Sequence, residues 1–444
     1  MDILFSDIIA ITMDDEKRGR IASPVLNHAY VGITGRKISY IGEKAPAEKA
    51  ARVINGGRRL LMPGLINSHS HLPMALLRGY ADDYTLQEWL FSHIIPAESK
   101  FDERCVALGV RLGLAECLRF GVVSCTDMYF HLPQIAEAVI STGVKANITN
   151  AVLCYDRNNF NFEKDRGIME IRELLSLLKD HGGCSEDGRL IVEAGIHGEY
   201  TSTPDIWKKS VGFAAENDLR FQIHLSETET EQNDCVKRYG KTPAEILGEY
   251  GVFTRKTTAA HCCHLTEGDI DILAENGVTA AHCPVSNLKL AAGIAPVIKM
   301  QARGVNVALG TDGACSNNNH DLFEEIKIAA LLQKNLTGDP AAMPAYEALK
   351  LATVNGAIGQ GRGNETGKIA CGFDADLIML NLDAPHLFPL NDPCSAVAYS
   401  ARGSDVCLTM VQGRILYENG EFMTIDLEKT RREAEEYVIP LLSS

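Results

Sequence analysis

Two histidines one residue apart close the apolar run Leu61-Met62-Pro63-Gly64-Leu65-Ile66-Asn67-Ser68-His69-Ser70-His71. Alternate residues of a β-strand share a face, so His69 and His71 project the same way and can grip one metal ion. Such a pair carries little weight alone, because neighbouring histidines are more often surface or hydrogen-bonded residues than ligands. Three more apolar runs add to it by ending in metal-type or acid/base residues. Phe221-Gln222-Ile223-His224-Leu225-Ser226-Glu227 carries His224 and Glu227; Thr257-Thr258-Ala259-Ala260-His261 carries His261; Val305-Asn306-Val307-Ala308-Leu309-Gly310-Thr311-Asp312 carries Asp312. Each stands where a strand would finish. In a parallel β/α barrel that is the face on which chemistry is built, and separate strands deliver their groups to one point there.

The elements needed to position these residues are legible. Up to about residue 60 the pattern is short β, at 8–12, 29–34, 37–42 and 52–54, with no competing helical period. From Gly367 onward it is again β-like, with Asn419-Gly420 as a hairpin turn. Between the two, strand candidates at 122–127, 146–153, 190–196, 221–225, 257–260, 278–281 and 305–309 alternate with helical stretches such as 102–120. With the strand ending at His69 they make roughly eight βα units. Thr242-Pro243-Ala244-Glu245 reads as a capping box with proline at the first helical position, and Thr203-Pro204 repeats the device. The expected architecture is α/β: a distorted TIM (β/α)8 barrel over 61–366 beside a small β-sandwich. The sandwich is built from 1–60 and 367–444, the latter ending in a terminal helix.

Composition narrows the function. A length of 444 residues fits a barrel plus an accessory unit. The net charge of −15 argues against nucleic acid as a partner, since phosphate binding needs concentrated Lys and Arg. Thirteen scattered cysteines, odd in number and often in apolar contexts such as Cys117, Cys125 and Cys154, read as reduced thiols of a cytoplasmic protein. No C-x-x-C pair occurs, which excludes a zinc ribbon or a zinc site of the cytidine-deaminase type. The acidic opening Met1-Asp2-Ile3-Leu4-Phe5-Ser6-Asp7 suggests neither a signal peptide nor a membrane span.

The strand-end blocks resemble, in order and context, the mononuclear metal-dependent amidohydrolase superfamily. The resemblance is carried by Pro63-Gly64-Leu65-Ile66-Asn67-Ser68-His69-Ser70-His71, His224-Leu225-Ser226-Glu227-Thr228, Ala260-His261-Cys262 and Gly310-Thr311-Asp312-Gly313. It is strongest towards the 5′-methylthioadenosine/S-adenosylhomocysteine deaminases, continues through Leu76-Leu77-Arg78-Gly79 and Ser286-Asn287-Leu288-Lys289-Leu290, and spans essentially the whole chain. It implies the barrel-plus-sandwich fold and one divalent metal held by His69, His71, His224 and Asp312. This N/O set suits Zn2+ and would also accept Fe2+ or Mn2+.

The same resemblance makes Asp312 the acceptor of a water proton, Glu227 the proton shuttle to a ring nitrogen and His261 the group that polarises the attacked carbon. The bland alternative for Glu227 is a carboxylate favourably placed at the start of the next helix. The fourth strand ends in His197 where two-metal relatives carry a bridging lysine, so a mononuclear site follows. His197 resembles a substrate-contacting histidine, although Gly198-Glu199-Tyr200-Thr201 departs from the usual Ser/Ala-Pro-Tyr-Thr. Trp89 and Glu98 resemble the residues of the first active-site loop that face the nucleoside, Glu98 accepting two ribose hydroxyls. His264, His282 and His320 are read as packed residues, with His282 nearest the site.

The expected activity is hydrolytic deamination of an adenine nucleoside: 5′-methylthioadenosine, S-adenosylhomocysteine, adenosine or 5′-deoxyadenosine. Guanine or cytosine deaminases and s-triazine hydrolases share the pattern. A noncatalytic metal-bound binding protein is the rival of another class, and it would need neither shuttle nor base. The resemblance also hints at a homo-oligomer. One departure bears on the substrate: the resembled deaminases carry an Arg where Asn150 stands, and Arg157 and Arg166 are the nearest substitutes.

Overall fold

The computed structural model describes residues 1–15, 24–154 and 160–443. Eight strands carry the candidate site. They are β1 (Leu65–Ser70), β2 (Val122–Met128), β3 (Lys145–Thr149), β4 (Leu190–Val192 and Ala194–Gly195), β5 (Phe221–Leu225), β6 (Thr257–His261), β7 (Thr279–His282) and β8 (Asn306–Leu309). Two sheets, β1-β2-β3-β4 and β4-β5-β6-β7-β8, meet at the two halves of β4. Pairing is parallel from β3 through β8. A parallel bridge between Ser70 and Asp312 returns the far edge to β1, and the Asp312 amide donates to the His69 carbonyl at 3.0 Å. The expected eight-unit barrel is present.

Apolar runs locate these strands well, with instructive departures. The run at 146–153 overshoots: β3 leaves the ladder after Thr149, and beyond it only Val152 makes an isolated bridge, to Ile196. β4 breaks at Glu193, a buried carboxylate that accepts hydrogen bonds from Asn147 (2.6 Å), Gln222 (2.7 Å) and Arg220 (3.1 Å). A polar group inside the barrel is tolerated because it is fully partnered. Helices such as Leu132–Thr142, Arg166–Leu177, Pro204–Glu216 and Glu267–Glu275 connect the strands. Helix Pro243–Glu249 starts with the capping box read from Thr242 and Glu245. At helix Pro204–Glu216 the proline is in place but the Thr203 side chain makes no cap.

The first and last segments join in one nine-stranded sheet. Leu377–Asn381 pairs antiparallel with Arg59–Pro63, which runs parallel to Ile3–Ile11. Phe5, Ile8, Val31, Ile33, Leu61, Leu377, Leu408 and Met410 share one buried apolar cluster, so both ends of the sequence contribute to a single core. Asn419 and Gly420 both have positive φ between Arg414–Glu418 and Glu421–Phe422, as a tight hairpin turn requires.

Contacts divide the chain into Met1–Asn67 with Ala115–Ser124 and Asp321–Ile425, and Ser68–Leu114 with Cys125–His320 and Asp426–Ser444. These limits differ from boundaries at 60 and 366 drawn on the hydrophobic pattern. The terminal helix Leu427–Ser443 groups with the second unit, where the Tyr437 hydroxyl donates to Asp102 at 2.5 Å and Arg104 lies over its ring. Among the described residues no helix is long and apolar enough to cross a membrane.

Gly310, just past β8, allows β8 to approach β1. A Cβ there would stand 2.8 Å from the His69 amide nitrogen and 2.9 Å from its carbonyl oxygen, both backbone atoms that cannot swing aside. We expect Gly310→Ala to destabilise the protein by about 1–3 kcal/mol, the usual range for overpacking. Thermal or urea unfolding measures it, and a midpoint equal to wild type would contradict this account of the closure.

Candidate active site

Barrel geometry brings the strand-end residues to one point. His69 lies on β1 and His71 directly follows it, His224 lies on β5, Glu227 is two residues beyond it, His261 ends β6, and Asp312 follows β8. All six are buried. Asp312 Oδ1 lies 3.2 Å from His71 Nε2 and 3.5 Å from His69 Nε2, while His224 Nε2 is 3.4 Å from His71 Nε2. Donor atoms of His69, His71 and Asp312 lie within 4.8 Å of one another, and so do those of His69, His224 and His261. The second group overlaps the first at His69, so the imidazoles enclose one position. These are N and O donors that could hold a borderline divalent cation.

Supporting hydrogen bonds fix which nitrogen faces the centre. His71 Nδ1 meets the Met128 carbonyl at 2.5 Å and His224 Nδ1 meets the His197 carbonyl at 2.6 Å. A carbonyl only accepts, so each Nδ1 carries a proton and Nε2 is the nitrogen that faces the centre. His261 Nδ1 bonds Asn287 Oδ1 at 2.8 Å and lies 3.8 Å from Glu227 Oε1. Hydroxyls of Ser286 (2.6 Å) and Ser316 (2.8 Å) donate to Asp312 Oδ2, leaving Oδ1 for the histidines.

Burial lowers the proton affinity of His69 to about 4 and of His197 to about 3. At His71 burial acts the same way, but the bond to Asp312 and its charge outweigh it and raise the ring to about 9. A cation competing for the same Nε2 lone pair would displace that proton. At Asp312 burial opposes ionisation, yet hydrogen bonds from His69 and His71 hold the carboxyl well below its usual range. Glu227 is shifted upward, chiefly by burial.

Beside this cluster opens a cavity of about 470 Å³, within the range of small-molecule sites. Trp89, Glu98, His197, Glu227, His261 and Asp312 all line it, and Tyr129, Phe130, Asn150 and Arg166 complete much of the wall. His264, His282 and His320 do not reach it. His264 Nε2 bonds the Ala292 carbonyl and His320 Nδ1 meets Thr311 Oγ1, while His282 is buried at the end of β7.

A model of the amidohydrolase family matches residues 60–416, four-fifths of the chain. The chain belongs to the amidohydrolase family. A 5-methylthioadenosine/S-adenosylhomocysteine deaminase of Acetivibrio thermocellus is 40% identical over 441 residues, covering 98% of both chains. A 5′-deoxyadenosine deaminase of Methanosarcina acetivorans is 40% identical over 433 residues, covering 98% of this chain and 96% of its own. Among solved structures, a zinc-bound adenosine deaminase from Xanthomonas campestris superposes with TM-score 0.90 at 30% identity, covering 100% and 99% of the two chains.

Sequence reasoning alone did not single out several residues of this amidohydrolase site. Asn287 and Ser286 lie inside a quoted block but lack any periodic signal of their own, and Ser316 pairs with Asp312 across a turn. Glu231 was readable, since Thr228-Glu229-Thr230-Glu231 is a capping-box pattern. Its backbone does bond Thr228 Oγ1, but its carboxylate turns elsewhere, accepting from the amides of Ser226 (3.0 Å) and Glu227 (2.8 Å). Ser226 has φ +48°, His261 +71° and Asp312 +62°, the left-handed region that non-glycine residues seldom adopt. These turns lift the chain off its strands and aim the side chains, and Glu231 clamps the first of them. We expect Glu231→Gln, which replaces one acceptor oxygen by a donor, to lower kcat about tenfold with KM nearly unchanged. Unaltered kcat would contradict a positioning role.

Proposed function

We propose that this amidohydrolase is a hydrolytic deaminase of adenine nucleosides, converting the 6-amino purine to its 6-oxo form with release of ammonia. The observation that carries the reading is the convergence of Glu227, His261 and Asp312 on one wall of a cavity that also holds Trp89 and Glu98. Relatives with 40% identity that are named adenine-nucleoside deaminases support it. A binding protein would need no such set of acid/base groups.

We assign one divalent cation, zinc, to His69, His71, His224 and Asp312. Zinc in the Xanthomonas campestris neighbour supports that choice. When bound, it supplies a water of lowered proton affinity that is nucleophilic near neutral pH. Asp312, with Oδ2 engaged by two serines, accepts the water proton at Oδ1. Glu227, which burial favours in its protonated form, delivers a proton to the purine ring nitrogen and so makes C6 attackable. His261, its Nδ1 tied to Asn287, leaves Nε2 beside the reacting carbon. Water oxygen bonds to C6; the amino nitrogen takes the proton held by Asp312 as the C6–N bond breaks and leaves as ammonia, while the proton of the C6 hydroxyl returns to Glu227 as the 6-oxo form appears.

The wall facing the 5′ end favours a neutral group. Asn150 Nδ2 donates to Glu170 Oε2 at 2.9 Å, and Arg166 Nε donates to Glu170 Oε1 at 2.8 Å. Arg166 thus reaches the cavity, but its charge is answered by Glu170; Arg157 lies outside the described residues. A substrate carboxylate would compete with Glu170 for the only guanidinium on that wall among the described residues.

Two outcomes test these assignments. Glu227→Gln keeps shape and should lose ~10²-fold or more in turnover while elemental analysis still finds about one zinc per chain. Near-normal turnover would remove Glu227 from the shuttle role, and two tightly held metals would remove the mononuclear assignment. Across the four nucleosides, kcat/KM for adenosine, 5′-deoxyadenosine and methylthioadenosine should exceed that for S-adenosylhomocysteine by roughly ten- to a hundredfold, a gap that Asn150→Arg narrows. S-adenosylhomocysteine as the best wild-type substrate would contradict the neutral 5′ wall.

A further inference from the structure

One wall of the cavity is a strap that follows Arg78. Leu86, Trp89, Leu90, Ile95 and Glu98 line the cavity from its helical run 86–98, which widens to a π-helical turn at Trp89–Ile94. Gly79 and Asp83 both have positive φ, so the chain turns on either side of Asp82 before that run begins. Among the described residues, the one hydrogen bond or ion pair that ties 79–97 to a distant part of the sequence joins Asp82 Oδ1 to Lys289 Nζ at 2.5 Å. The remaining hold on the strap is apolar packing of buried side chains such as Leu86, Trp89 and Ile94.

Lys289 is itself firmly held. It ends the helix Pro284–Lys289, and its ammonium also donates to the Cys315 carbonyl at 3.3 Å and to Asn318 Oδ1. Three N–H donors thus find three oxygens. Cys315 and Asn318 flank Ser316, which donates to Asp312 Oδ2, while Ser286 and Asn287 of the lysine's own helix hold Asp312 and His261. An ion pair with Lys289 22% and Asp82 39% exposed contributes little when it stands alone, because fixing two side chains in one geometry costs conformational freedom. Here two other oxygens already fix the lysine, so the contact to Asp82 costs less.

We propose that Lys289 is a positioning residue for the nucleoside: through Asp82 it holds the strap, and with it Trp89 and Glu98, in register with the groups that act on the base. The inference rests on the nucleoside reading above and adds to it the tether between the strap wall and the catalytic wall. Asp82→Ala cuts that tether and leaves Lys289 its other two oxygens, so the turn and helix around Asp312 keep their contacts.

Ammonia release from adenosine and acrylamide quenching of tryptophan fluorescence, both on zinc-loaded protein, test it. The chain has two tryptophans, Trp89 on the strap and Trp207, buried on helix Pro204–Glu216. Asp82→Ala should raise KM about three- to tenfold while kcat stays within about twofold of wild type. It should also make the Trp89 share of the emission quenchable, with inosine restoring protection. In a Lys289→Met background the same substitution should change neither reading further. A KM within about twofold of wild type with Trp89 still shielded, an undiminished effect of Asp82→Ala in Lys289→Met, or a fall in kcat larger than the rise in KM would overturn the inference. Absence of ammonia from every nucleoside with wild type would instead overturn the deaminase reading, and the quenching cycle then decides the tether.

Discussion

The site depends on one closure. Where β8 returns to β1, the Asp312 amide bonds the His69 carbonyl, and the Asp312 carboxylate turns to face His69 and His71. Backbone and side chain of one residue therefore complete the barrel and the cluster together. Gly310 makes the approach sterically available, and the positive φ of Asp312 points its carboxylate inward rather than along the strand. A strained conformation persists only where its surroundings over-determine it, and here Ser286 and Ser316 hold the carboxylate from the other side.

Electrostatics follow from that geometry. Six histidine or carboxylate side chains are taken out of water around one point, which is unfavourable unless each is partnered. Carbonyls of Met128 and His197 fix the tautomers of His71 and His224, Asn287 fixes His261, and the backbone amides around Glu227 are fixed by Glu231. What is left over is a set of inward-facing lone pairs and one carboxylate oxygen. Such a surplus of acceptors favours a cation at the centre, and the supporting residues come from the ends of five of the eight strands.

Much of this was legible beforehand because barrel strands are short, apolar and bounded. The H-x-H pair on β1, His224, His261 and Asp312 all occupy strand ends, where position in a barrel already implies convergence. The capping box at Thr242 and the Asn419-Gly420 turn are local chemistry and came out as read. Pairings made in the turns after the strands were not legible. No periodic signal says that Ser316 will donate to Asp312, or that the Glu231 carboxylate will bypass its own cap for the Ser226 and Glu227 amides. Arg166 and Glu170 stand at i, i+4 on one helix, a pairing that spacing alone suggests, whereas the place of Arg166 on the cavity wall has no local signal. At Thr203 the sequence signal was present but the side chain made no cap, because proline at the first helical position sets the backbone without requiring one.

The central claim is that one cation at this cluster, acting with the chain's own acid and base, deaminates an adenine nucleoside. The direct measurement is ammonia release from adenosine by chelator-stripped protein as zinc is added back in steps. The account predicts negligible release at the start, a linear rise, and a plateau at about one zinc per chain. Full activity in stripped protein, or a plateau only at about two, would contradict it.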